Sequence, residues 1–278
     1  MDKKSFQHRT MLQDGASDCM PLRGAKGALM SPRSSGTDAE RARGQRHRGP
    51  SLLLLAVVLA GLFVGSLVVV AAMTHGGHFP SPHEPTDETN AFLAANRDAL
   101  RFGAFLQFGA SVPLAIFAAT ASSRLRFLGI EAAGTLITLV GGTLASAMGA
   151  FSALAQWSLV QPDLGTEATR ALHLLAFSTG GPGYIVPFGL LVAGVAVTGG
   201  LSRKLPRWVM WSGLLVASVS ELSSLSVAFD PALYLLPLAR FTGLVWLIVV
   251  GALLPSSRSS GASREAPEPT LKKALEGA

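Results

Sequence analysis

The chain has 278 residues, 49% of them hydrophobic and only 14% charged, with a mean hydropathy of +0.41. A soluble domain carries about 25% charge, so the composition argues against an ordinary soluble enzyme. The single cysteine, Cys19, excludes an internal disulfide framework and a multi-cysteine zinc site.

Residues 1–50 hold ten Lys/Arg and five Asp/Glu among scattered Gly, Ser and Pro, without apolar periodicity. Such a stretch buries too little surface to offset its chain entropy and reads as a disordered tail. Met11, Met20 and Met30 are alternative start positions within it. The tail ends in four arginines, Arg41, Arg43, Arg46 and Arg48. No aromatic residues are interleaved with them to stack bases. The expected partner is therefore the anionic headgroups of a lipid bilayer, not nucleic acid.

Six apolar blocks follow, each near the length of about 20 residues that crosses a bilayer as helix. They are Ser51–Met73, Leu100–Ala121, Leu128–Ala153, Ala171–Thr198, Trp208–Phe229 and Leu233–Leu254. The first is too long and too far from the N-terminus for a signal peptide. Block four contains Gly180, Gly181, Pro182 and Gly183, which predict a helix break. Residues 255–278 return to polar sequence and read as a second tail.

Lys and Arg in short loops orient such blocks, positive side inward. Arg124 and Arg126 lie in one short loop, and Arg203, Lys204 and Arg207 in another. The alternate loops hold Glu84, Asp87, Glu88, Asp163, Glu167 and Asp230, with few basic residues. The pattern predicts six spans with both termini cytoplasmic. Trp157, Trp208, Trp211 and Tyr234 near block ends fit interfacial aromatic belts.

Membrane helices associate through small residues and interhelical hydrogen bonds. Gly141, Ala145, Gly149 and Ala153 place a small residue every four positions on block three, which predicts a central packing helix. Gly61 with Gly65, and Gly213 with Ala217, are shorter versions on blocks one and five. A faint repeat relates AFLQFGASVP in block two to AFSTGGPGYIVP in block four.

The runs RFGAFLQFGASVPLAIFAATASSRLRFLGIEAAG and RALHLLAFSTGGPGYIVPFGLL, with the ending PLARFTGLVWLI, resemble an uncharacterised family of bacterial six-helix membrane proteins, a domain of unknown function. The resemblance covers residues 90–255. It implies bacterial origin and a multi-pass inner-membrane protein, and brings no activity or catalytic residue.

Ionisable residues inside spans are costly and draw attention as functional sites. Glu131 reads as paired by snorkelling with Arg124 or Arg126, and His173 as a wet interfacial histidine. Glu221 and Arg240 lie about equally far from the Asp230-Pro231 turn, which predicts an intramembrane ion pair. With Gln107, Ser178, Thr179 and Tyr184 they form an expected polar cluster in the outer half of the bundle. That cluster either fixes helix register or receives a small-molecule ligand. The half-helix after Gly183 is expected to aim its positive end at the cluster. The outer loop with His75, His78, His83, Glu84 and Asp87 is too rich in glycine and proline for a fixed metal site, so no metal is expected. No H-E-x-x-H, G-x-S-x-G or P-loop pattern occurs, and neither enzyme activity nor a cofactor is expected. The reading is an all-α, six-helix membrane bundle with a binding or structural role; a small-molecule transporter is the alternative.

Overall fold

The structure is a computed structural model that describes residues 47–76, 80, 86–162 and 164–257. These belong to one compact unit, Gly44–Ala278. Arg41, Arg43, Arg46, His78, His83, Glu84 and Asp163 lie outside the described residues. Among the described residues all regular structure is helical, and six segments are long and apolar enough to cross a membrane.

The first span, α1, runs Leu52–Met73. Ser51 caps it, its hydroxyl accepting from the Leu54 N–H. The helix is apolar on every side, so no stripe marks a core face, and only Leu52, Ala56, Leu59 and Ser66 are buried. Gly61 and Gly65 meet nothing within 4 Å, so that pair is not a packing motif.

The acidic loop that follows folds in part into a short helix, α2 (Thr86–Ala95), with Asp87 and Glu88 at its positive end. Leu93 of α2 is buried against Leu100, Leu159, Val160 and Ala176. The polar content of the loop concealed this apolar contact.

The second span, α3 (Arg97–Phe127), exceeds its apolar block at both ends and runs through Pro113. Arginine is a good helix former, so a change in polarity marks the water boundary and not the end of the helix. The end is set by backbone geometry. Gly129 has φ 85°, its N–H bonds the Arg126 carbonyl, and the Ile130 N–H bonds that of Leu125. This is a Schellman motif, with Ile130 and Leu125 both buried. The apolar residues at 128–130 serve this turn, so α4 begins only at Ala133 and continues to Leu159.

Block four is two helices, α5 (Thr166–Gly180) and α6 (Pro182–Leu201), divided at Gly181. The expected break is present. Block five is α7 (Arg207–Leu222), and block six is α8 (Leu235–Leu253). Two 3₁₀ segments, Ser223–Val227 and Asp230–Tyr234, replace the helical ends expected there. The Ser223 and Ser224 hydroxyls bond back to the Ser220 and Glu221 carbonyls, the local competition by which serine disfavours helix interiors.

The helices close a ring. α1 packs on α3 and α8, α3 on α4, α4 on α5 and α6, α6 on α7, and α7 on α8. The most buried span is α5–α6 and not α4; α6 also touches α3 and α8. The small-residue ridge of α4 is nonetheless a packing face. Ala145 and Ala153 are buried, and a Cβ on Gly141 would lie 2.6 Å from the Leu191 nitrogen of α6. Val140, Leu215 and Val245 point outward, as lipid-facing side chains do. Trp157, Trp208, Trp211 and Tyr234 are also exposed.

The two ends of the described chain meet. The His47 N–H bonds the Ser256 carbonyl at 2.8 Å. Arg124, 5% exposed, donates to the carbonyls of Pro50 and Leu254. It is therefore a tie between chain ends and not the surface partner of Glu131, which is exposed.

The His47 ring lies 3.0 Å from the Ser123 hydroxyl and edge-on to Phe127. Burial, and then the neighbouring Arg124 charge, lower its pKa. The folded ring resists protonation more than the unfolded one, so its contribution is complete above the usual value of about 6.5. It is lost as the pH falls below that value. Trypsin cleavage at the exposed Arg48 should accordingly rise between pH 7.5 and 5.5, after correction for trypsin's own profile. His47→Phe should abolish the dependence; an unchanged profile in that variant would assign the rise to another group.

Candidate functional site

A cavity of about 420 Å³ lies between α1, α3, α4, α5, α6 and α8. Its lining begins several turns from the Pro50–Leu254 end, so it occupies the half of the bundle away from the chain ends. Leu59, Phe63 and Leu67 come from α1, and Leu233, Leu236, Pro237 and Phe241 from α8 and the turn before it. The polar members are Gln107 and Ser111 on α3, Ser152 and Gln156 on α4, Tyr184 on α6 and Arg240 on α8.

Arg240 has no carboxylate partner among the described residues. One terminal nitrogen of its guanidinium donates to the Gly180 carbonyl. The guanidinium carbon sits 4.8 Å from the Tyr184 ring centre and 5.1 Å from that of Phe63. Its Nε has no hydrogen-bond partner. Two aromatic faces and a carbonyl can hold a cation in an apolar setting. Tyr184 is steadied in turn by stacking on Phe188 at 5.6 Å.

The break in block four supplies that carbonyl. Gly180 ends α5, where carbonyls lack intrahelical donors and the dipole is negative, and Arg240 satisfies it. The expected orientation is thereby reversed. The feature facing Arg240 is the carbonyl end of α5, while α6 opens on Pro182, which has no N–H to offer.

The two amides of the lining bond each other. Gln156 Nε2 donates to Gln107 Oε1 at 3.1 Å and lies 3.4 Å from the Ser152 hydroxyl. Ser152 donates to the Ala176 carbonyl, and Ser146 to that of Ser111. These bonds tie α4 to α5 and α3 around the cavity.

Gln107, Tyr184, Arg240, Gly180 and Gly181 are thus brought together; Ser178, Thr179, Pro182, Gly183 and Glu221 do not line the cavity. The Ser178 and Thr179 hydroxyls return to the Leu175 carbonyl of their own helix. Glu221 is exposed, its carboxylate beside Gly189, and no ion pair joins it to Arg240 among the described residues. The reason is rotational. At about 100° per residue, Ser220 falls back in line with Gly213 and Ala217 and is fully buried, while Glu221 turns outward. His173 is also not a wet side chain: it is 5% exposed, with Nε2 3.0 Å from the Pro80 carbonyl.

Ser111, Ser152, Gln156 and Phe63 were not anticipated. Gln156 follows Ser152 by one turn, a readable signal, but it falls past the apolar boundary of block three. Phe63 is indistinguishable by sequence from the lipid-facing residues around it. Among the described residues no group of three or more His, Cys, Asp or Glu could hold a metal ion.

The chain matches no protein-family model, no curated protein and no solved structure. Its function is therefore argued from the cavity. The polar groups there, a guanidinium, two amides and a tyrosine hydroxyl, can orient a bound molecule.

Proposed function

We propose that the chain is a multi-pass bacterial cell-membrane protein, with both termini cytoplasmic, that binds a small molecule in this outer-half cavity. The carrying observation is a 420 Å³ space inside the bundle, within the range of ligand pockets, that contains Arg240 without a carboxylate. The bacterial inner membrane follows from the family resemblance, and the orientation from the loop charges. The arginine cluster before α1 would hold the tail against anionic lipid. Transport is a second reading, favoured by the interruption of the fourth span at Gly181, beside the cavity. Uptake of the bound molecule into proteoliposomes would distinguish transport from binding.

The test of binding is occupancy. Gly149 lines the cavity, and a side chain there meets the Tyr184 ring, the nearest atom lying 3.2 Å from its Cβ. Native mass spectrometry should find one small molecule on the wild type, and Gly149→Leu should lower its occupancy at least tenfold with the fold retained. A wild type that stays empty after exposure to cell lipids and metabolites would oppose the binding reading.

Orientation has its own test. Single cysteines at 85 and 165, with Cys19 replaced, should label from outside intact cells, and those at 125, 205 and 265 should not. External labelling at 205 would reverse the topology.

A further inference from the structure

On the reading that the cavity binds a small molecule, we infer that its ligand is an anionic amphiphile, seated with its charge on Arg240 and its apolar chain toward the seam between α1 and α8.

Among the described residues lining the cavity, Arg240 is the one that is charged. Glu221 does not line the cavity; its carboxylate lies beside Gly189 on the far side of α6 from α1. A cation inside a span is costly unless something compensates it. The Gly180 carbonyl and the two rings stabilise the guanidinium without neutralising it, and Nε remains without an acceptor. A carboxylate or phosphate is the group that both neutralises a guanidinium and accepts from several of its N–H groups. Gln107, Gln156 and Tyr184 also line the cavity and offer further polar contacts to its oxygens.

The remainder of the lining is apolar and includes Leu59, Phe63, Leu114, Phe177, Leu236 and Phe241. A small hydrophilic anion would leave this surface without a partner; an acyl or similar chain would cover it. The same cavity touches the outer surface of the bundle. Leu67 and Phe241 line it while 40% and 45% exposed, and Pro237 beside them is also exposed. These residues belong to α1 and α8, and the partition between them there is the edge-on contact of the Phe63 and Phe241 rings, centroids 6.1 Å apart, two side chains that can rotate aside. At the opposite end the two helices meet closely, a Cβ on Gly251 lying 2.8 Å from the Leu53 Cα. The α1–α8 seam is therefore tight near the chain ends and lined by cavity residues farther along. A ligand dissolved in the bilayer could enter there without crossing water.

Two sources share this chemistry: a free single-chain acid and a lipid of the bilayer itself. The experiment uses purified full-length protein in nanodiscs of neutral phosphatidylcholine, read by native mass spectrometry. Palmitate, phosphatidylglycerol, hexadecanol and inorganic phosphate are added separately. Retention of palmitate or phosphatidylglycerol at one per protein, at least tenfold above hexadecanol, is expected; whichever is retained identifies the source. Arg240→Gln should remove the preference for charge, and Arg240→Lys should restore part of it. Circular dichroism and chromatography establish that each variant is folded. If Arg240→Gln does not fold, Arg240→Lys and the hexadecanol comparison still decide. Equal retention of palmitate and hexadecanol by the wild type would overturn the anionic assignment while leaving a binding cavity. Retention of phosphate alone would overturn the amphiphile. If none of the four is retained, this inference fails, while the binding reading stands or falls on occupancy after exposure to cell lipids and metabolites.

Discussion

Replacing Gly141 by leucine is expected to prevent assembly of the bundle, and replacing it by alanine to weaken assembly measurably. A Cβ at this position would lie 2.6 Å from the Leu191 nitrogen, 2.7 Å from the Pro187 oxygen and 2.8 Å from the Leu190 Cβ. The nitrogen and oxygen are spaced four residues apart on α6, so the intruding carbon would press on one rung of its backbone ladder. Backbone atoms cannot rotate aside as a side-chain end does. The crossing is reciprocal, because a Cβ on Gly194 of α6 would come within 2.8 Å of the Gly134 oxygen and 2.7 Å of the Thr138 nitrogen of α4. The two helices therefore touch backbone to backbone at two places, and any side chain at Gly141 must part them. Overpacking of this kind costs about 1–3 kcal/mol and sometimes more, and leucine adds three further carbons with no free space. Lipid supplies no hydrophobic force to push the helices back together. The measurement is the monodisperse fraction in mild detergent and its thermal midpoint, with the outward-facing Val140→Leu as control. Gly149→Leu should be tolerated better, since its nearest neighbour is the edge of the Tyr184 ring beside a cavity. Equal behaviour of Gly141→Leu and Val140→Leu would show that the α4–α6 crossing is not needed.

These contrasts show what sequence could and could not convey. Span number and the break at Gly181 were legible because lipid imposes a length on apolar runs and because Gly and Pro act locally on the backbone. The four-residue ridge of α4 was legible for a similar reason, since close approach demands small side chains. Glu221 was misplaced because it was taken to continue the Gly213–Ala217 row, and each four-residue step drifts about 40° around the helix, so the buried position at the end of α7 is Ser220. Arg240 was correctly singled out as unusual, but its partners are a carbonyl at a helix end and two rings, groups that carry no sequence signature for pairing. Helix α2 was missed since it is short and its two buried residues, Thr89 and Leu93, follow an acidic, proline-rich stretch. The polar floor contributed by Gln156 and Ser152 emerges only when α3, α4 and α5 are brought together.

The second large effect is expected at Arg124. Arg124→Leu should loosen α1 from the bundle while leaving the other helices assembled. Of the six spans α1 is the least buried, with 17% of its central window enclosed by protein, so few contacts hold it. Its packing partners are α3 and α8, and Arg124 lies at the end of the seam where all three converge. One terminal nitrogen of its guanidinium donates to the Pro50 carbonyl at the entry to α1, and the other to the Leu254 carbonyl at the exit from α8, each at 3.3 Å. Hydrogen bonds from a charged donor contribute about 1.5–3 kcal/mol apiece, and a buried acceptor left without its donor costs about 1–3 kcal/mol. Leucine replaces the apolar stem of arginine and neither bond. The exposed Arg126 is too far around the helix to substitute, two residues and roughly 200° away. Arg124→Lys, a single compact donor group in place of a fork, should keep one carbonyl at best. In practice, crosslinking between cysteines placed at His47 and Ser256, whose backbones are bonded at 2.8 Å, should fall severalfold in Arg124→Leu and less in Arg124→Lys. Because Leu59, Phe63 and Leu67 of α1 also form one wall of the cavity, ligand occupancy should fall with the crosslink. Undiminished crosslinking in the leucine variant would mean that the Gly251–Leu53 contact alone secures α1, and that Arg124 serves only to orient the chain in the membrane.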